Sequence, residues 1–198
     1  RSRERVFKYL ACLFTGVPIY FVLGVLVAFA PELGEAIGLG SSLSAASAVF
    51  YSYLGFITGD LASGLYSQWA RSRKRAVVLF ISLTGIFSVF LLYLPTPSLP
   101  LALGLYVLLG FFAGYWAVTV TIAAEQFGTN LRATVATSVP NLVRGMVVPM
   151  TLTIKALKPS LGLVSSSAIV LAVVTVLALL SATRLNETFN TELDYLEK

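Results

Sequence analysis

Two charged residues sit where charge is expensive. Asp60 lies within an apolar run from about Leu43 to Trp69, and Arg144 within another from about Leu131 to Ala156. A charge far inside a lipid-length apolar segment is costly unless it is paired, hydrated or used. Counted from Arg71 and Arg132, Asp60 and Arg144 fall eleven and twelve residues into their segments. At ~1.5 Å per residue both are roughly 16–18 Å deep, near the middle of ~30 Å of hydrocarbon. Their equal depth predicts an ion pair, or a pair that a solute opens. The chain has no histidine, so Asp60 is the expected proton carrier. Arg144, with Asn141 one turn away, is the expected anchor for an anionic or hydroxyl-rich solute.

Around Arg144 the polar residues keep a helical period. Thr134, Thr137, Asn141, Arg144, Thr151 and Lys155 recur at spacings of three, four and seven, which puts them on one face. A stripe of this kind predicts the lining of an aqueous cavity. The plainer alternative is that the threonines bond their own helix carbonyls and Arg144 pairs with a neighbour. Tyr20 and Tyr115 are further candidate solute contacts, although aromatic side chains in such segments also serve as packing and interface anchors. No nucleophile–base pair, metal-ligand spacing or phosphate loop stands out, and Cys12 is the single cysteine. An enzyme, a metal centre, a cofactor and a disulfide framework are therefore not expected.

The elements that must hold these residues follow from composition. Of 198 residues, 57% are hydrophobic and 12% charged, about half the charge of an ordinary soluble domain. This is an integral membrane composition. Six apolar segments are long enough to cross a bilayer: roughly Val6 to Ala30, Leu43 to Trp69, Ala76 to Leu94, Pro100 to Ala124, Leu131 to Ala156 and Leu161 to Thr183. An acidic loop with Glu32 and Glu35 is expected after the first, and a Pro95-Thr96-Pro97 turn after the third. In the second segment Gly55, Gly59, Ser63 and Ser67 recur every four residues and predict a ridge for close helix packing.

Charge sets the expected orientation. Arg1, Arg3, Arg5 and Lys8 precede the first segment, Arg71 to Arg75 follow the second, Arg132 follows the fourth and Arg184 the sixth. All four places fall on one side, with Lys155 and Lys158 the only cations opposite. The basic side, with both chain ends, is expected to be cytoplasmic at the plasma (inner) membrane. The net charge of +5 thus belongs to loops beside a lipid bilayer, and no basic stripe interleaved with aromatics suggests nucleic acid. The chain begins at arginine, and the expectation is a piece of something longer.

Three stretches carry a family resemblance. Gly64-Leu65-Tyr66-Ser67-Gln68-Trp69-Ala70-Arg71, followed by Arg73-Lys74-Arg75, resembles the loop motif of the major facilitator superfamily: glycine, an acid, then a basic stretch. Glu125-Gln126-Phe127-Gly128-Thr129-Asn130-Leu131-Arg132-Ala133-Thr134 is similar to the Glu…Arg loop of its sugar-porter-like and organic-ion-porter-like members. Leu185-Asn186-Glu187-Thr188-Phe189 resembles the sequence after their last helix. Gln68 stands where the family has its loop aspartate, and Asn186 where sugar porters often have proline.

The resemblance implies an all-α, six-helix carboxy-terminal half, built as two inverted three-helix repeats, 1–95 and 96–184, with a cytoplasmic tail at 185–198. It implies a secondary transporter of a small polar solute, a sugar or organic anion, working by alternating access, proton-linked or facilitative. The partner would be the amino-terminal six-helix half. Gln68, Arg71, Lys74, Glu125 and Arg132 would form a cytoplasmic gate cluster, with Glu125 and Arg132 engaging the Arg71–Lys74 block. The rival is a non-transporting membrane sensor or assembly subunit that keeps the fold.

Overall fold

Apolar runs with capping serines become helices along the chain, and the breaks between them fall at proline, glycine and the basic turn. The computed structural model describes residues 2–94, 98–190 and 196. The expected Pro95-Thr96-Pro97 turn and most of the tail beyond Asn190 lie outside these residues. Helix α1 spans Ser2–Phe21 and runs on as a π-helical turn, Val22–Val27. Its Pro18 removes one backbone donor shortly before the coil widens. Helix α2, Ala30–Ala36, opens on Pro31, whose fixed φ suits a first helical turn. It carries Glu32 and Glu35, so the acidic stretch expected as a loop is helical.

Helix α3 spans Ala45–Trp69 and α4 spans Arg73–Leu92. Each starts on a serine whose hydroxyl accepts a backbone N–H three residues on: Ser44 from Ser47 and Ser72 from Arg75, both at 3.1 Å. Arg71, with φ at +48°, turns the chain between them. Helices α5 (Leu99–Ala113) and α6 (Trp116–Glu125) cover the fourth apolar segment and are separated by a break at Gly114 and Tyr115. Helices α7 (Thr129–Gly145) and α8 (Val147–Arg184) complete the fold, which is all-α among the described residues.

Four helical stretches are long and apolar enough to cross a membrane: Arg3–Val27, Arg73–Leu92, Leu99–Glu125 and Thr129–Arg184. Helix α3 has the length, with 25 residues, but Asp60 and its serines and glycines dilute its hydropathy. The 56-residue stretch would be about 84 Å long if straight, far beyond a bilayer. It is not straight. Gly162, with φ 77° and ψ 169°, holds a backbone conformation open essentially to glycine alone. Met146, Pro149 and Met150 share a cavity with Ile169, Val173 and Leu177, so α8 folds back there into two adjacent legs.

Close packing uses the small residues. Gly55, Gly59, Ser63 and Ser67 are all buried, as their spacing predicts. A Cβ on Gly55 or Gly59 would collide with the carbonyl oxygen of Val107 or Phe111 in α5, and one on Gly110 with that of Ser52. Without a hydrophobic driving force in lipid, such backbone approach is what holds two helices together. Elsewhere the core is ordinary: Ile19, Phe21 and Leu26 from α1 and its π turn share one buried cluster with Tyr106, Leu109 and Ile122, and Tyr106 donates its hydroxyl to the Leu26 carbonyl at 2.9 Å. Phe87 and Phe112 stack at 4.9 Å between α4 and α5.

One end of the bundle collects the cations. Lys8 donates to the Gln126 carbonyl, Arg73 pairs with Glu125, and Lys74 donates to the Thr183 carbonyl. The starts of α1 and α4 and the ends of α6 and α8 therefore lie together, as the loop charges predict.

Candidate functional site

The site is built where the π turn of α1 and the α5–α6 break come level with the end of α7. Tyr20 is the hub. Its hydroxyl accepts a hydrogen bond from Arg144 Nε at 3.1 Å, and the guanidinium lies 5.9 Å from its ring centre. Its ring meets Trp116, the first residue of α6, edge-on at 5.5 Å. The next residue, Ala117, donates its backbone N–H to Asp60 Oδ1 at 2.9 Å. Asp60 thus caps the first turn of α6 across the gap from α3, where the partial positive charge of a helix start favours a carboxylate. Arg144, Asn141 and Ala117 are exposed, and Tyr20, Asp60 and Trp116 half-buried, so these residues share one open polar surface.

Several expectations change here. Asp60 and Arg144 reach the same site but do not form the expected ion pair: a backbone amide holds one and a phenol the other. The reason is the break in α5–α6, which supplies a cheaper partner for the carboxylate than a long-range charge. Tyr115, expected as a solute contact, is fully buried and donates its hydroxyl to the Thr15 carbonyl at 3.1 Å. It ties the break to α1. Trp116, its neighbour, faces the site instead, and aromatic content alone could not rank the two. Asn141 is on the open face, its amide donating to the Thr137 carbonyl at 3.0 Å. Thr137 bonds the carbonyls of Ala133 and Thr134, so the stripe is both exposed and backbone-bonded.

At the basic end Glu125 meets the Arg71–Lys74 block through Arg73. Glu125 pairs with Arg73 at 3.4 Å and accepts the Thr188 hydroxyl at 2.6 Å. Arg73 also donates to the Ser67 hydroxyl at 3.2 Å. Lys74, expected beside Glu125, reaches Thr183 instead. Gln68 and Arg71 are exposed and make no side-chain bond to the cluster among the described residues; Arg132 is half-buried at the start of α7. Glu187, quoted in the sequence motif without a role, is the second centre. It accepts the Ser72 hydroxyl and the backbone N–H groups of Arg73 (2.9 Å) and Lys74 (3.3 Å) at the start of α4. Burial opposes its charge, but these bonds and that from Phe189 outweigh the cost and hold the carboxyl below its ordinary value. Gln126 completes the clamp, its amide donating to the Asn186 carbonyl at 2.7 Å. The segment 185–189 thereby straps α8 to α4 and α6.

No protein-family model matches the sequence, and no curated protein matches it significantly.

Proposed function

We propose that the chain is a six-pass half of an alternating-access carrier for a small polar solute, an organic anion or a sugar. The observation that carries this reading is the open face on which Tyr20, Asp60, Asn141 and Arg144 gather beside two helix irregularities. Charged side chains on apolar helices collect in this way where a water-filled path crosses a bilayer. Irregular backbone at such depth is tolerated where it lines that path.

Packing supports the repeat reading. With 1–95 and 96–184 counted as repeats, the first helix of each lies on the second helix of the other. Gly16 and Gly24 of α1 and its π turn face Val143 and Val147, while Gly55 and Gly59 of α3 face α5. The third helices, α4 and the second leg of α8, meet at Gly85 and Thr175. Two inverted three-helix units have this exchange. An amino-terminal six-helix half would close the open face, and the basic end would be cytoplasmic at the plasma membrane.

In this reading Arg144 binds the anionic or hydroxyl end of the solute, and Tyr20 holds the guanidinium in place. Asp60 couples protons: its neutral form accepts more weakly from Ala117 and loosens the first turn of α6. The Glu125–Arg73 and Glu187–Ser72 contacts form the inner latch. A thermal-shift screen of the full protein against carboxylates, sugars and amines tests the reading, because a ligand of the folded state raises Tm. A polar solute should raise Tm in the native protein and not in Arg144→Ala, and proteoliposomes should take it up. Binding without uptake would favour the sensor. A ligand indifferent to Arg144→Ala, or none in any class, overturns the site.

A further inference from the structure

A second group of polar side chains lies away from Arg144, at the end opposite the latch. Where α2 and the π turn meet the Gly162 hairpin, a cavity of about 420 Å³ opens. Glu32, Lys155, Lys158 and Ser167 line it, against apolar walls that include Phe29 and Leu163. Glu32 and both lysines are exposed, and none has a hydrogen bond or ion pair among the described residues. Ser167 is fully buried and its hydroxyl has no partner among the described residues. A buried hydroxyl left unbonded is costly, and native structures leave few. Three uncommitted charges and one orphaned donor thus surround a single cavity.

A second, separate cavity of about 200 Å³ lies between α1 and the two legs of α8, walled by Phe14, Val17, Met150 and Val174 among others and apolar but for Thr153. The charged mouth is within about two turns of the hairpin; the apolar cavity lies deeper along both legs of α8. In the first cavity the charged rim stands against the apolar walls of Val25, Phe29, Leu152 and Leu163, the polarity order of a lipid headgroup above its acyl chains.

We propose that this charged cavity binds a phospholipid whose headgroup carries both a phosphate and a primary amine. The phosphate lies between Lys155 and Lys158, the ammonium meets Glu32, and Ser167 donates to a phosphate or ester oxygen. The acyl chains lie along the apolar wall of Phe29 and Leu152. Two lysines alone would suit any anionic lipid; Glu32 makes the selection. A purely anionic headgroup brings a like charge toward that carboxylate, and a choline headgroup cannot donate a hydrogen bond to it. The lipid would sit in the leaflet opposite the Arg71–Arg75 turn. The inference rests on the chain lying in a bilayer and not on its moving a solute.

Native mass spectrometry of the delipidated full chain tests it, by titration with dioleoyl phosphatidylethanolamine, phosphatidylcholine and phosphatidylglycerol, and with tailless glycerophosphoethanolamine. The ethanolamine lipid should be retained about tenfold better than the other two. Lys155→Gln with Lys158→Gln should lower its retention about tenfold, through loss of two charge-assisted contacts. Glu32→Gln should keep lipid binding but abolish the preference over phosphatidylglycerol. All three side chains are exposed, and an unchanged Tm without lipid checks that the variants fold. Equal retention of the three lipids by the native chain overturns the proposal, as does unchanged retention in the double lysine variant. Retention of the tailless headgroup as strong as that of the lipid would reassign the cavity to a free phosphoester.

Discussion

Asp60 and Arg144 show how a charge is housed deep in an apolar bundle without a salt bridge. The carboxylate takes a backbone donor at a helix start, and the guanidinium takes a phenol and an aromatic face. Each remains half-buried or exposed and thus addressable by solute or proton. Asp60→Asn should therefore abolish proton-driven accumulation and leave exchange of labelled for unlabelled solute intact; loss of both would assign Asp60 to binding. Glu187 carries a separate expectation. Its folded pKa lies below the ordinary value, so the folded state holds this proton more weakly than the unfolded chain. The strap's contribution is then fully present above the unfolded glutamate value and declines as pH falls through the lower folded one. Limited proteolysis of the tail should accelerate below about pH 4 in the native protein. Glu187→Gln should lose that pH dependence, being open at every pH.

At the scale of elements, stability depends on places where side chains are missing. The α3–α5 contact brings backbone against backbone at Gly55, Gly59 and Gly110. Gly59→Leu would have to part the two helices, and it should abolish the folded monomer on size-exclusion chromatography. Gly64→Leu on the same helix, which meets open space, should be tolerated. Gly162 is the other such place. Gly162→Ala forces an L-residue into a conformation worth about 1–3 kcal/mol of strain. Tm should fall accordingly, and the fold should survive because the two legs of α8 remain packed on α1 and α4.

The whole molecule is polarised. The α3–α4 turn and the strap crowd one end, while Glu32, Glu35, Lys155 and Lys158 occupy the other. Cysteines introduced at positions 35 and 71 should label from opposite sides of sealed cells, and Cys12, being buried, should not compete. Labelling of position 71 from outside would reverse the orientation. On the carrier reading the Arg73–Glu125 contact biases the balance between two states; at only 18% and 13% exposure it is not a surface pair, and losing one partner leaves the other charge largely buried. Glu125→Gln removes the charge facing Arg73 and should shift the population toward the inward-open form, read as longer spin-label distances across the basic end. An unshifted distribution would remove the latch role.

What the sequence determined by itself is whatever depends on local pattern. Apolar length and composition dictate helices of membrane length, serines at positions 44 and 72 start two of them, and the four-residue glycine–serine spacing marks the packing face of α3. The cation asymmetry likewise named the shared end, because in a hairpin-connected bundle every second loop, with the two flanking ends, falls on one side. Partner choice was decided only in three dimensions. Equal depth for Asp60 and Arg144 suggested a pair, but depth fixes one coordinate and leaves the direction of each side chain around its helix open. The break at Gly114 and Tyr115 then offered Asp60 an unbonded backbone N–H, which no periodicity shows. Tyr115 and Trp116 are adjacent and alike in composition, yet that break turns one into the core and the other onto the open face. The strap is the same lesson at longer range. Glu187 meets Ser72 across 115 residues of chain, and only the return of α8 alongside α4 brings an acid to a helix start that the sequence left without one.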